Sequence, residues 1–75
     1  MSEKEAKFVV YRQDNHYYIM NFDQSLWTHN ISNAKLYSEE EAKDKIEELE
    51  NEGFEILLQL APFSEELIRY RTIYG

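Results

Sequence analysis

The sequence predicts an α+β fold in one domain: a mainly antiparallel sheet of three or four strands with one long amphipathic helix on one face. Three observations carry this reading. Two runs rich in Phe, Val, Tyr and Ile, residues 7–12 and 17–22, flank a short polar break. Ser38 opens a segment whose apolar residues recur at helical spacing. A further apolar run, 54–60, alternates with period two and stops short of Pro62.

Taken in order, residues 1–6 form a polar lead that is expected to fray. Lys7 to Arg12 reads as a first strand and Tyr17 to Phe22 as a second, joined by Gln13-Asp14-Asn15-His16 as an N-terminal β-hairpin. The loop Asp23-Gln24-Ser25 leads into Leu26-Trp27-Thr28, a turn over Asn30 to Asn33, and a short third strand at Lys35-Leu36-Tyr37. Ser38 with Glu41 three residues on is a capping box, in which each side chain satisfies an amide that the first turn leaves unpaired. The helix should run from Glu39 to about Glu52, with Ala42, Ile46 and Leu49 as its buried stripe and Gly53 closing it in a left-handed conformation. Phe54, Ile56, Leu58 and Leu60 fall on one face of the next strand. Beyond Pro62, either Ser64 caps a short helix or Arg69 to Tyr74 forms a last strand; propensity does not choose.

Both faces of the sheet are apolar. Phe8 and Val10 oppose Val9 and Tyr11, and Tyr17 and Ile19 oppose Tyr18, Met20 and Phe22. One long helix covers one face. The C-terminal segment, through Leu67, Ile68, Ile73 and Tyr74, is expected to cover the other, with a second subunit as the alternative.

Composition narrows the function. A chain of 75 residues buries a modest core and often needs a stabilising aid. Cysteine is absent and only two histidines are present, so disulfides and a zinc site are poor candidates and a partner subunit remains. No apolar run is long enough to span a bilayer and no signal segment is visible, so a cytoplasmic protein is expected. His16 and His29 sit in polar, turn-like contexts and read as exposed loop residues, leaving no nucleophile, base and orienting group together. Gly53 and Gly75 are the only glycines, too few for a phosphate-cradling loop. Neither an enzyme nor a cofactor is expected. Tyr11, Tyr17, Tyr18, Tyr37 and Trp27 lack the interleaved basic residues of a nucleic-acid stacking platform, so they read as core or protein interface, with Trp27 a core anchor.

The net charge is −7, which repels nucleic acid and anionic membranes and attracts basic surfaces. It is concentrated. Glu39, Glu40, Glu41, Asp44, Glu47, Glu48, Glu50 and Glu52 lie in one segment against only Lys43 and Lys45, which places −6 of the −7 there. With Ala42, Ile46 and Leu49 inward, Glu40, Asp44, Glu47 and Glu48 project outward, Glu41, Glu48 and Glu52 follow one flank, and Glu39 and Glu50 lie toward the other. At about 1.5 Å per residue, one carboxylate falls every ~2.6 Å of axis. DNA carries one charge per ~1.7 Å, or per ~3.4 Å on one strand. Such a face has the linear charge density to take the place of DNA in a basic groove. An acidic helix can equally serve only as a solubilising surface.

The stretch Trp27 to Ser38, followed by Glu41-Ala42-Lys43 and Ile46, resembles a pattern of small phage-encoded proteins in which a hairpin runs through a Trp-Thr segment into a capped helix. In size and acidity the chain is similar to host-takeover proteins of lytic phages, and most similar to DNA-mimic inhibitors, including those that block the histone-like nucleoid protein HU. That resemblance implies a host DNA-binding protein as partner, the acidic helix in place of phosphates, and a possible homodimer presenting two such helices. The competing expectation is a protein-binding adaptor that uses Tyr11, Tyr18 and Phe22 on the sheet's aromatic face.

Overall fold

The computed structural model describes residues 6–22 and 24–74. Most of the expected polar lead and Asp23 of the expected loop lie outside them. The order of elements is β1 (Phe8–Arg12), β2 (Tyr18–Asn21), β3 (Leu26–Thr28), a 3-10 turn (Ile31–Asn33), α1 (Glu39–Asn51), β4 (Leu58–Pro62) and α2 (Phe63–Tyr74). The strands form one antiparallel sheet in the order β3-β2-β1-β4, with a helix on each face, so the α+β architecture is as the sequence predicts. No helix among the described residues is long and apolar enough to cross a membrane.

The hairpin closes through Arg12 N donating to Tyr17 O at 2.8 Å and His16 N donating to Arg12 O at 2.8 Å. Its last loop residue, His16, has φ 59, the left-handed region in which a residue other than glycine is held at a cost. The third strand is Leu26–Thr28 and not Lys35–Tyr37. The latter segment is reduced to a single bridge, Tyr37 with Phe8, because Lys35 N instead donates to Ile19 O at 3.1 Å.

The α1 termini form as the residues dictate. Ser38 accepts from Glu41 N at 3.2 Å while Ser38 N donates to Glu41 Oε1 at 3.3 Å, the reciprocal capping box. At the other end Gly53 N donates to Glu50 O and Phe54 N to Leu49 O, both at 3.1 Å. This pair of bonds is a Schellman closure, and Gly53 supplies its positive φ of 96.

Alternation along the strands splits the core in two. Val10, Ile19, Tyr37, Ala42 and Leu58 form the α1 side, joined by Phe22, Trp27, Ile46, Leu49, Phe54 and Leu60. Val9, Tyr18 and Ile31 form the α2 side, joined by Tyr11, Phe63, Leu67 and Tyr70. Val9, Val10, Ile19 and Ile31 are completely or almost completely buried, each contributing about 1.5–3 kcal/mol of apolar transfer. Trp27 anchors the α1 side as expected, stacked on Phe54 at 6.0 Å with the Arg12 guanidinium over its ring at 5.1 Å.

Further expectations need correction, and one open alternative is decided. Phe22 belongs with Ile19 and not with Tyr18, because the β2–β3 register shifts between Ile19 and Asn21 and turns the residues beyond it. The run 54–60 is ordered as a strand only from Leu58; Phe54 is spent on the helix closure, and Pro62 is the last paired residue, opposite Phe8. Of the two alternatives for the C-terminal segment the helix is the one that forms, over Phe63–Tyr74 and directly after β4, so that Ser64 lies inside it and does not cap it. α2 covers the second face through Phe63, Leu67 and Tyr70, a 4-3 helical stripe, whereas Ile68, Ile73 and Tyr74 stay exposed. Ile68 follows Leu67 by one residue, about 100° around the helix, and so faces solvent.

Candidate functional site

Every carboxylate that the sequence singles out lies on the surface of α1 or at its C-cap. Glu39, Glu40, Glu41, Asp44, Glu47, Glu48, Glu50 and Glu52 are all exposed, while Ala42 is fully buried and Ile46 and Leu49 are half-buried beneath them. The helix is thus held by one apolar stripe and presents its acidic residues on the remaining surface.

The two lysines neutralise little of this. Lys43 Nζ is 3.5 Å from Glu39 and Lys45 Nζ is 3.9 Å from Glu48, both on exposed side chains, where such pairs contribute about 0–1 kcal/mol. Among the described residues, Asp44, Glu47, Glu50 and Glu52 have no cation within ion-pair distance.

The charge is also placed against helix stability. Glu39, Glu40 and Glu41 occupy the first turn, where the macrodipole favours anions. Glu48, Glu50 and Glu52 crowd the opposite end, where anions are disfavoured, and no basic residue stands in the last turn. A helix selected for stability alone would carry lysine there.

Two depressions flank α1. Lys43, Glu47 and Glu50 overlook a groove of about 430 Å³ whose other walls are Ile46, Leu58, Gln59 and Leu60. On the opposite flank, Lys45, Glu48 and Glu52 border a hollow of about 190 Å³ beside Phe22 and Leu49. Glu40 and Asp44 line neither. The carboxylates therefore form a crest and two banks, close to the arrangement read from the sequence, except that Glu47 overlooks the β4 groove instead of standing on the crest.

A second polar cluster was not legible in the sequence. Glu66 of α2 is buried, 7% exposed, and points at the sheet. Its Oε1 accepts from Tyr18 OH at 3.0 Å and from His16 Nε2 at 2.8 Å. His16 stacks on Tyr11 with ring centroids 4.0 Å apart and meets Tyr18 edge-on at 5.6 Å. His16 is therefore half-buried and bonded, not the free loop residue its context suggests; His29 is exposed, as expected, with Tyr17 beside it at 5.9 Å. The adjoining hollow of about 220 Å³ is lined by both histidines with Tyr17, Tyr18, Arg69 and Tyr70 among its walls.

This cluster has a pH signature. Burial, followed by the hydrogen bond to Glu66 and its negative charge, pushes the Tyr18 phenol well above its ordinary value of 10.0. Desolvation, then the charge of Glu66, raises Tyr11 as well. The folded state thus keeps a proton that the unfolded chain releases near pH 10, so stability falls as pH rises beyond that point. Unfolding free energy measured by denaturant from pH 8 to 11.5 should show this downward slope, and Tyr18→Phe should flatten it while costing about 1–3 kcal/mol at pH 8.

Tyr11 and Tyr18 lie beneath α2, with Tyr18 only 1% exposed, and Phe22 packs on Tyr37 at 5.5 Å on the other side of the sheet. Of the residues that the adaptor expectation uses, Tyr18 is buried and Tyr11 and Phe22 are half-buried. Comparison of the chain with protein-family models, curated proteins and solved structures gives no match.

Proposed function

We propose that the protein is a non-enzymatic acidic binder that occupies the DNA-binding surface of a basic host protein, an HU-like nucleoid protein being the best fit, and so inhibits it. The observation that carries this is the exposure of all eight carboxylates of the Glu39–Glu52 segment on one helix with two lysines to oppose them. The partner-binding set is Glu40, Glu41, Asp44, Glu47, Glu48, Glu50 and Glu52. With Glu39 included, the eight carboxylates recur once per ~2.6 Å of axis, between the charge spacing of duplex DNA and that of one strand.

Solubility alone is a weaker account. It asks for charge anywhere on the surface, yet here the charge lies on one helix and persists into the terminal turn where it destabilises. A partner's Lys and Arg residues would meet these carboxylates as they meet phosphates, in charge-assisted hydrogen bonds. Ile68, Ile73 and Tyr74, exposed on α2 across the sheet from α1, would supply apolar surface for a homodimer that presents two acidic helices.

Affinity capture from bacterial lysate tests this reading. Recovery of a basic nucleic-acid-binding protein, lost when DNA is added and again when salt is raised, is the expected result. Recovery that neither DNA nor salt disturbs would count against it.

A further inference from the structure

The groove between α1 and β4 adjoins an open sheet edge. Among the described residues β4 has a strand partner on one side only, β1. Phe63 N donates to Lys7 O at 2.7 Å and Gln13 N to Leu57 O at 2.9 Å, so residues 57 and 63 turn their backbone groups toward β1. By the alternation of an antiparallel ladder, 59 and 61 do the same, and 58, 60 and 62 face outward. Pro62, which has no N–H, falls on the outward side, where proline is tolerated in a strand. Leu58 and Leu60 therefore present both N–H and C=O at the edge, and their side chains form the groove floor with Ile46.

We propose, resting on the reading above, that this edge and groove receive an extended, arginine-bearing segment of the basic partner as an added strand. The backbone of that segment bonds to Leu58 and Leu60, as in strand-addition recognition. One arginine facing α1 lays its aliphatic stem on Ile46, Leu58 and Leu60 and places its guanidinium at Glu47 and Glu50. Lys43, although on the same bank, is drawn back one turn to Glu39 at 3.5 Å. The charge selects the occupant. An open edge invites any strand, a second copy included, but pairing two β4 edges would bring two helices of this charge together, whereas a basic strand is attracted.

The test uses the whole protein, labelled with 15N, and a short synthetic peptide alternating arginine and threonine. Binding should slow hydrogen exchange at the Leu58 and Leu60 amides and leave Gln59 and Ala61, already bonded to β1, little changed. Glu47→Gln with Glu50→Gln should weaken the peptide by about tenfold or more, because charge-assisted bonds are lost. Glu40→Gln with Asp44→Gln, on the crest, should weaken it by no more than about twofold, the residue of long-range attraction. Equal losses in the two variants, or binding without protection at Leu58 and Leu60, would overturn the inference and leave charge mimicry standing. Failure of the peptide to bind would overturn it too, while DNA competition on the same sample judges the parent reading separately.

Discussion

Replacing Glu40, Asp44, Glu47 and Glu48 together with glutamine is expected to weaken binding to the basic partner by about a hundredfold or more at low salt while leaving the fold intact. Each carboxylate that meets a cation in a charge-assisted bond contributes about 1.5–3 kcal/mol when desolvated, and less when it stays at the rim. Four at the lower end of that range suffice for the effect. None of the four packs in either core cluster, and the Lys45–Glu48 pair, at 3.9 Å between exposed side chains, is too weak to hold the fold. Glutamine keeps the helix propensity and nearly the same volume at the three glutamate positions, and improves propensity over aspartate at 44. The variant's melting temperature should therefore stay close to that of the natural protein, since the favourable first-turn charge of Glu40 is lost while repulsion along α1 and the unfavourable charge of Glu48 near its C-terminus are relieved. Calorimetry alongside a titration of the partner separates the two effects. A variant that binds as before refutes charge mimicry, and one that unfolds would show that these carboxylates serve the fold.

The largest effect on stability is expected at Glu66. Glu66→Ala removes a buried carboxylate that joins α2 to the sheet and strands two donors, the Tyr18 hydroxyl and the His16 ring. Leaving the buried Tyr18 hydroxyl unsatisfied costs about 1–3 kcal/mol and the half-buried His16 ring about 1 kcal/mol, so the loss should reach about 2–4 kcal/mol, a large share of what a domain of this size holds. Glu66→Gln retains an acceptor and should lose less than half as much. Because α2 otherwise holds on through Phe63, Leu67 and Tyr70, the alanine variant should show exchange of α2 amides well before those of β1 and β2. Uniform loss of protection across the whole chain would contradict this picture of α2 as a separately fastened element.

Much of the α1 half was legible because its signals are local. The Ser38–Glu41 box, the Ala42-Ile46-Leu49 stripe and Gly53 lie within sixteen residues, and each states its own geometry. The acidic surface followed directly, since burying the stripe leaves the glutamates outside. The α2 half was harder. A glutamate after Ser64-Glu65 is normally a solvated first-turn residue, and only a contact with His16, fifty positions earlier, reveals that it turns inward. The helix itself left a trace in the spacing of Phe63, Leu67, Tyr70 and Tyr74, at intervals of 4, 3 and 4, which period-two alternation does not give. His16 left no such trace: only the fold shows that it is held at φ 59, a cost that the stack on Tyr11 and the bond to Glu66 offset. The misplaced face of Phe22 came from the register shift in β2, which a strict alternation cannot anticipate.

The most direct test of the account is whether a basic nucleoid-type protein can hold DNA and this protein at the same time. With labelled DNA bound to such a protein, adding the acidic protein should release the DNA completely and in proportion to complex formed, with weaker release as salt is raised. A stable ternary complex, with DNA still bound and the acidic protein alongside it, would show that α1 does not stand in the place of phosphates.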